Sequence, residues 1–503
     1  MGYFAARGLF VTPFAGGGGQ PMAQLRRRLL STVARGALVL QASAISGCGG
    51  PLRFTQTRAR PLALGVVDQK SGGGVGACGA APLGGSLYTW MAAEAPLGTL
   101  VDTVELRTPP PYDAVDAVAA VDAGIQDQTA PYAVRLGPSL KVNGALLAAV
   151  PPGALRLGVA LVGSRFTEET LWLPLLFDPL VVFYRPDVLR GAHLSPPRTG
   201  WTFEDLLDDL IALRARRVTP APLALLGSAT ALTAVVAGRR RGYVPWLPPH
   251  AFWVAAPDAL LLAVADGYGV SLLPTKASMW ASARFANACT LWTSLMGMAA
   301  RTVPWKCVAP FAGWTAAFQI GFLSDASSIP KSGRLWAIAP APAGPAGRVI
   351  PARMAGMCVL RQRSVAQALG AYERILAEEQ AGTGGVTAAG LPLFPRVAAS
   401  LLRKEFGLSD GDAKTIGDVR SCVRVNTEFV SQGQSGPGHR FPAREGMAYA
   451  AGVGSIAMVA ASARTRKELE DGLLLAARAT RNAMVGAART HVHCTPAGSC
   501  YRM

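Results

Sequence analysis

Histidine is scarce in this chain, with five among 503 residues, at positions 193, 250, 439, 491 and 493. Each reads as a solvated loop residue rather than a general base. Three signatures are missing: the Gly-x-Ser-x-Gly elbow, the His-Glu-x-x-His helix and the Gly-x-x-x-x-Gly-Lys phosphate loop. Their absence removes the serine hydrolases, zinc proteases and phosphate-loop hydrolases that those motifs announce. No later run is a convincing membrane span; the nearest, residues 447–463, is rich in Ala, Gly and Ser and reads as buried helix or loop. No basic stripe interleaved with aromatics occurs, which argues against nucleic acid. Adjacent acids such as Asp208 and Asp209 fall mid-helix, where neighbours point about 100° apart, a poor geometry for an acid/base pair.

What is present is apolar bulk. Half of the residues are hydrophobic and 16% are charged, enough for a large core in two or more lobes. The net charge is +18, carried by scattered arginines with Arg239-Arg240-Arg241 as the main later cluster. Such a charge attracts an anionic membrane or wall polymer, but an arginine-rich background composition is the preferred explanation for it.

The first fifty residues form a pattern of their own. Arg26-Arg27-Arg28 precede a mostly apolar stretch, 29–44, interrupted by Arg35 and Gln41, and Ile45-Ser46-Gly47-Cys48 follow. A basic start, a short apolar stretch and small residues before a cleavage point describe a secretory signal. Ile-Ser-Gly-Cys resembles the bacterial lipobox, so residues 1–48 are expected to be a signal peptide with Cys48 as the lipidated residue, and Met22 is an alternative start. Arg26-Arg27-Arg28-Leu29-Leu30 also resembles a twin-arginine signal, leaving the export route open. The competing reading is an ordinary N-terminal helix with a buried cysteine. Eight cysteines occur, at 48, 78, 289, 307, 358, 422, 494 and 500. With Cys48 lipidated an odd number remains, so complete internal pairing is excluded. Cys494 and Cys500 flank a turn-forming spacer and could bridge outside the cytoplasm. His491, His493 and Cys494 match no defensible zinc spacing, and no metal or cofactor is implied.

Along the mature chain, 49–57 reads as a tether. Residues 61–68 and 101–108 have strand patterns, 86–97 and 114–123 read as helices, and 132–137 reads as another strand. This alternation argues for a mostly parallel sheet covered on both faces. Residues 180–184 suit a buried strand. Thr202 with Asp205 completes a capping-box pair opening a helix, Trp201 and Leu206 can form a hydrophobic staple, and Leu206, Leu207, Leu210 and Ile211 recur at helical spacing. Residues 222–226 look like a strand.

These pieces together resemble the extracellular solute-binding proteins of bacterial ABC importers, family 1. The resemblance rests on Leu173-Pro174, Phe183-Tyr184-Arg185-Pro186-Asp187-Val188, Pro196-Pro197 and Trp201-Thr202, with Arg185-Pro186 where that family has Asn-Lys. Downstream, the segments 311–318, 336–342 and Gly344-Pro345-Ala346-Gly347 are similar to the family's in order, as are 353–359 and 364–376. The resemblance spans roughly 48–380. It implies an α/β, two-lobe periplasmic-binding-protein-like fold with hinge crossover strands near 177–184 and 315–322. Lobe 1 is expected from 58–180 and 318–380, lobe 2 from 181–317 and 381–490, and a tail from 491–503. It further implies a monomeric, lipid-anchored sugar-binding protein outside the cytoplasm, partnered by the permease subunits of an ABC importer. Sugar sites stack aromatic faces on pyranose rings and bind hydroxyls with carboxylates, guanidinium groups and amides. On that basis Asp178, Trp314 and Arg353 are the expected ligand contacts, with Trp280, Trp90 and Tyr112 as further candidates. Trp201 and Trp292 read as core. The alternatives are a secreted, lipid-anchored carbohydrate hydrolase and a receptor of the same fold that no longer serves transport.

Overall fold

The computed structural model describes residues 60–67, 91, 101–105, 113–120, 126, 129, 132–134, 136, 158–162, 165–169, 171–219, 222–225, 256–272, 277–299, 316–328, 336–381, 390–424, 428–430, 444–489, 492–494 and 500–502. Residues 1–57, with Cys48, lie outside this set, as do Trp90, Tyr112 and Trp314.

The strands are β1 (Leu62–Val67), β2 (Val101–Glu105), β3 (Ala117–Ala120), β4 (Gly158–Val162), β5 (Arg165–Glu169), β6 (Leu173–Tyr184), β7 (Leu223–Leu225), β8 (Phe318–Phe322), β9 (Ala337–Pro340), β10 (Ile350–Val359), β11 (Leu391–Pro392), β12 (Cys422–Arg424), β13 (Glu428–Val430), β14 (Val492–Cys494) and β15 (Cys500–Arg502). The helices are α1 (Pro186–Gly191), α2 (Phe203–Ala215), α3 (Ala256–Gly267), α4 (Ala277–Trp280), α5 (Ala283–Met298), α6 (Val365–Gln380), α7 (Pro395–Phe406), α8 (Asp410–Gly417), α9 (Arg444–Ser462) and α10 (Arg466–Arg489). The main sheet runs β2-β1-β3-β10-β6-β8-β7, with β9 and β11 also on β6 and β12 on β10. It is mixed rather than mostly parallel. β1 pairs parallel with β2 and β3, whereas β10 runs antiparallel to β3 and β6, and β6 antiparallel to β8.

Two apolar cores result, and β6 serves both. One core gathers β1, β3, the first half of β6, β10 and α6, together with α7 and α8 through Ala398, Leu402, Ala413 and Ile416. The other gathers Leu180 and Val182 of β6, β7, β8 and helices α1 to α5, α9 and α10. Because side chains alternate along a strand, Val181 and Phe183 turn to the first core while Leu180 and Val182 turn to the second. The expected division at 381 is therefore corrected. Residues 391–419 pack on the first core, and it is α9 and α10, from Val453 to Met484, that pack on the second.

Two local readings also change. Over its described residues, 114–120, the stretch 114–123 forms no helix; it holds the four-residue strand β3, every residue buried, inserted between β1 and β10. Its alanines have high helix propensity, but a strand paired on both edges satisfies the backbone in a setting where no helix fits. Within 132–137, Val134 donates to the Val359 carbonyl at 2.7 Å, yet no named strand forms over the described positions.

The start of α2 follows the sequence closely. Thr202 accepts from the Asp205 amide at 3.1 Å while Asp205 accepts from the Thr202 amide at 2.8 Å. Trp201 is buried, stacked on Phe318 with centroids 6.1 Å apart, and Leu206 joins the same core. Leu206 and Leu210 are buried, whereas Ile211 is exposed. The segment after β9 clamps this helix start. Trp201 Nε1 donates to Pro340 O at 3.1 Å, and the amides of Ala343 and Phe203 donate to Trp201 O and Ala343 O, each at 3.0 Å. Arg348 also donates to the Thr199 carbonyl. The Gly344–Gly347 turn then lies on the end of α3, where a Cβ on Gly344 would fall 2.3 Å from the Gly267 carbonyl oxygen. That contact is with backbone, which cannot step aside.

Thr202→Ala is expected to lower stability by about 1 kcal/mol, the usual cost of a lost N-cap. Gly344→Ala should cost more, about 2 kcal/mol or above, because α3 and the turn must separate. Urea unfolding with unchanged slope measures both; an unaltered midpoint for Gly344→Ala would show that the close approach does not exist in solution.

Candidate functional site

β6 leaves the first core and enters the second at Asp178-Pro179-Leu180. Asp178 is the one charged residue in this twelve-residue strand. Across the antiparallel pairing its partner on β10 is Arg353, and Leu180 faces Phe322 at the end of β8. The chain then turns through a 3₁₀ turn, Leu323–Ser328, which brings Ser324 and Asp325 back to the crossing. Four segments thus converge on one carboxylate.

Asp178 is 4% exposed. Its Oδ1 accepts from the Ser324 amide at 2.9 Å and its Oδ2 from the Ser324 hydroxyl at 2.7 Å. Arg353 Nη1 stands 3.9 Å from Oδ2, a long ion pair, and the guanidinium carbon lies 3.7 Å from the centroid of the Phe322 ring. A cation over a ring face at this distance contributes about 0.5–1 kcal/mol and fixes the plane of the guanidinium. The Arg353 side chain is 23% exposed, so of this pair it is the one that reaches solvent. Asp325 accepts from the Phe322 amide at 2.7 Å, pinning the turn to the strand end. Burial raises the Asp178 carboxyl from the usual 3.8 to about 6; Arg353 and the Ser324 hydrogen bonds oppose the rise and the nearby Asp325 adds to it. Desolvation wins because the guanidinium is too distant to compensate.

β11 closes the other edge of the crossing. Leu391 and Pro392 pair with Phe177 and Leu176. Gly390, at φ +147°, passes so close that a Cβ would fall 2.5 Å from the Phe177 carbonyl oxygen, a position open to glycine on both conformational and steric grounds. Below it, Glu379 on α6 is 2% exposed, with one oxygen 3.4 Å from the Leu393 amide, and burial holds its carboxyl well above the usual carboxylate range.

The residues singled out by sequence thus have different fates. Asp178 and Arg353 come together at the crossing. Trp280 is 0% exposed, packed beside Phe285 with its Nε1 bonded to Ser271 O at 3.3 Å, so it presents no face to a ligand in this conformation. The reason is that α4 turns its side chain into the second core, where Trp292 is also buried. Trp314, Trp90 and Tyr112 lie outside the described residues. Ser324, Asp325 and Phe322 were missed; the one available signal was a Ser-Asp pair immediately after the expected return strand. Among the described residues no group of His, Cys, Asp and Glu could hold a metal ion. Cys494 and Cys500 lie directly opposite each other in the β14–β15 hairpin, though their side chains are outside the described set.

No protein-family model matches the chain, and no curated protein matches it. Solved structures do resemble it. The cyclic alpha-maltosyl-1,6-maltose binding protein from Arthrobacter globiformis superimposes with a TM-score of 0.52 at 12% identity, over 86% of this chain and 100% of that one. A sugar transporter protein from Arthrobacter chlorophenolicus with bound laminaribiose gives 0.48 at 12% identity, over 84% and 98%. The ABC substrate-binding protein Lmo0181 from Listeria monocytogenes, in complex with cycloalternan, gives 0.47 at 11%, over 86% and 98%. The first of these carries the conclusion about architecture: the chain has the α/β, two-lobe periplasmic-binding-protein-like fold.

Asp178→Asn tests the electrostatics of the crossing. A raised carboxyl pKa means that the folded chain holds its proton where the unfolded chain has lost it. Its contribution is therefore greatest below pH 4 and is lost as pH rises to about 6. The stability of Asp178→Asn relative to the parent should climb across that window, by up to about 3 kcal/mol, and be flat above it. Denaturation at a series of pH values measures this; a flat difference from pH 4 to 7 would contradict the assignment.

Proposed function

We propose that this chain is an extracytoplasmic, lipid-anchored binding protein that takes a sugar or oligosaccharide between its lobes and hands it to the permease of an ABC importer. One observation carries the reading: two apolar cores joined through antiparallel crossing strands, with a carboxylate and a guanidinium placed at the crossing. A polar cluster with an exposed guanidinium between two packed bodies is the chemistry that hydroxyl-rich ligands need. The fold match adds support, since the Arthrobacter globiformis protein is named for binding a cyclic maltosyl-maltose. In this reading Cys48 carries the acyl anchor, Arg353 reaches ligand hydroxyls from the hinge with Asp178 holding the turn beside it, and Trp314, Trp90 and Tyr112 supply stacking faces. Among the described residues no helix is long and apolar enough to cross a membrane, in keeping with a lipid anchor. Closure of the lobes is driven by better ligand contacts in the closed state.

A hydrolase reading would use Asp178 and Asp325 as its acid pair, burial having raised the Asp178 carboxyl. The geometry favours binding, because both carboxylates are already engaged, one by Ser324 and the other by the Phe322 amide.

Thermal unfolding of the mature chain against mono- and oligosaccharides is the test. A saturable rise is expected, worth about 2.7 kcal/mol at a hundredfold excess over the dissociation constant, with no product formed and a smaller radius of gyration in solution scattering. Sugar turnover would replace this reading with the hydrolase, and no response across the panel would remove saccharide import.

A further inference from the structure

Gln319 lies on β8, one of the two crossing strands, and is 0% exposed. Neither its Oε1 nor its Nε2 has a hydrogen-bond partner among the described residues. A buried primary amide can make several hydrogen bonds, and leaving both ends unused lowers stability. Apolar residues fill the rest of the strand, so a leucine or methionine here would cost nothing in patterning. Residues that break a local rule without structural compensation cluster at functional sites.

The surroundings of the amide have a definite shape. Register pairs Gln319 with Phe183 on β6 and with Ala224 on β7, and residues paired across a sheet share a face. Its neighbour two positions along that face is Gly321, paired with Val181. Small residues therefore flank the amide on one strand and along its own, and an aromatic ring flanks it on the other. Phe183 in turn meets Trp336 edge-on, with ring centroids 5.8 Å apart. The opposite face of β8, with Phe318, Ile320 and Phe322, is closed into the second core. The amide thus belongs to the face shared with Phe183, Ile338 and Trp336, all buried members of the first core, so it sits where the two cores meet.

We propose that Gln319 is a ligand-reading residue, whose amide oxygen and nitrogen engage neighbouring hydroxyls of a saccharide in the ligand-bound form, beside the aromatic edge formed by Phe183 and Trp336. A primary amide offers an acceptor and a donor side by side, so it can accept from one of two vicinal hydroxyls and donate to the other. The inference rests on the sugar-binding reading and adds to it a specific group on the second crossing strand.

The experiment compares the parent chain with Gln319→Met, using maltose, cellobiose, laminaribiose and their trisaccharides as probes, by thermal unfolding and isothermal titration. Gln319→Met should unfold at the same or a higher temperature without sugar, while binding the sugar that stabilises the parent at least tenfold more weakly. Equal affinity with raised stability would make Gln319 a plain core amide and overturn the inference, leaving the sugar-binding reading intact. If the parent itself binds none of the probes, the sugar-binding reading fails first and the inference falls with it. Should Gln319→Met not fold, Gln319→Asn keeps the amide but shortens its reach; it too should weaken binding tenfold, and unchanged affinity would again refute the role.

Discussion

Everything in this fold depends on β6 being shared. A twelve-residue strand whose side chains feed two cores must be paired along both halves, and it is, by β10 and β11 on the first and by β8 and β9 on the second. Yet it contains Pro174 and Pro179, which cannot donate to a ladder. A proline inside a sheet needs a bulge or an open edge. The register between β6 and β10 slips between Ala355 and Gly356, beside Pro174, which accommodates the first. Pro179 falls where the strand changes cores. The backbone pairing of β6 is thus weakest at the two ends of the segment Leu175–Leu176–Phe177–Asp178, and bending of the strand is cheapest there.

The electrostatics of the crossing follow from that packing. Strands from both cores exclude water around Asp178, so its charge is costly and the carboxyl is kept by short hydrogen bonds from Ser324 rather than by its distant arginine. Arg353 keeps part of its surface in solvent and leans on Phe322. One member of the pair is spent on holding the turn after β8 to β6, and the other is left facing outward. A strut and a solvent-reaching group therefore stand side by side where the two cores meet.

Local signals were legible wherever the chain decides structure by itself. Thr202 and Asp205 cap α2 as their spacing demands, Trp201 packs at its start, β1, β2 and β7 fall where the strand patterns put them, and β10 and α6 fall where the family resemblance puts them. Position 117–120 was not legible, because an alanine-rich stretch carries no period and takes its structure from the strands beside it. Nor was the core assignment of 391–419. An apolar helix face states that it is buried, but not against what. Trp280 failed for the same reason, since a tryptophan in a core and one in a cleft look alike in sequence. Ser324 and Gln319 are single polar residues near an apolar strand, and their importance arises from what the fold sets opposite them.

Beyond the shared strands, a lighter tie links the two cores. α8 packs Ala413 and Ile416 into the first core, while its Asp412 accepts from the hydroxyl of Thr199, in the loop that opens α2 of the second. This contact is exposed, and such a hydrogen bond contributes on the order of 1 kcal/mol. Covalent continuity through β6 and β8 therefore keeps the two cores together, whereas this one exposed hydrogen bond is worth no more than a fewfold change in population. A ligand that prefers one arrangement by a few kcal/mol outweighs a tie of that size. The two cores are consequently tied firmly through shared strands and lightly by this contact, a balance set by which residues share a strand and which merely meet at a surface.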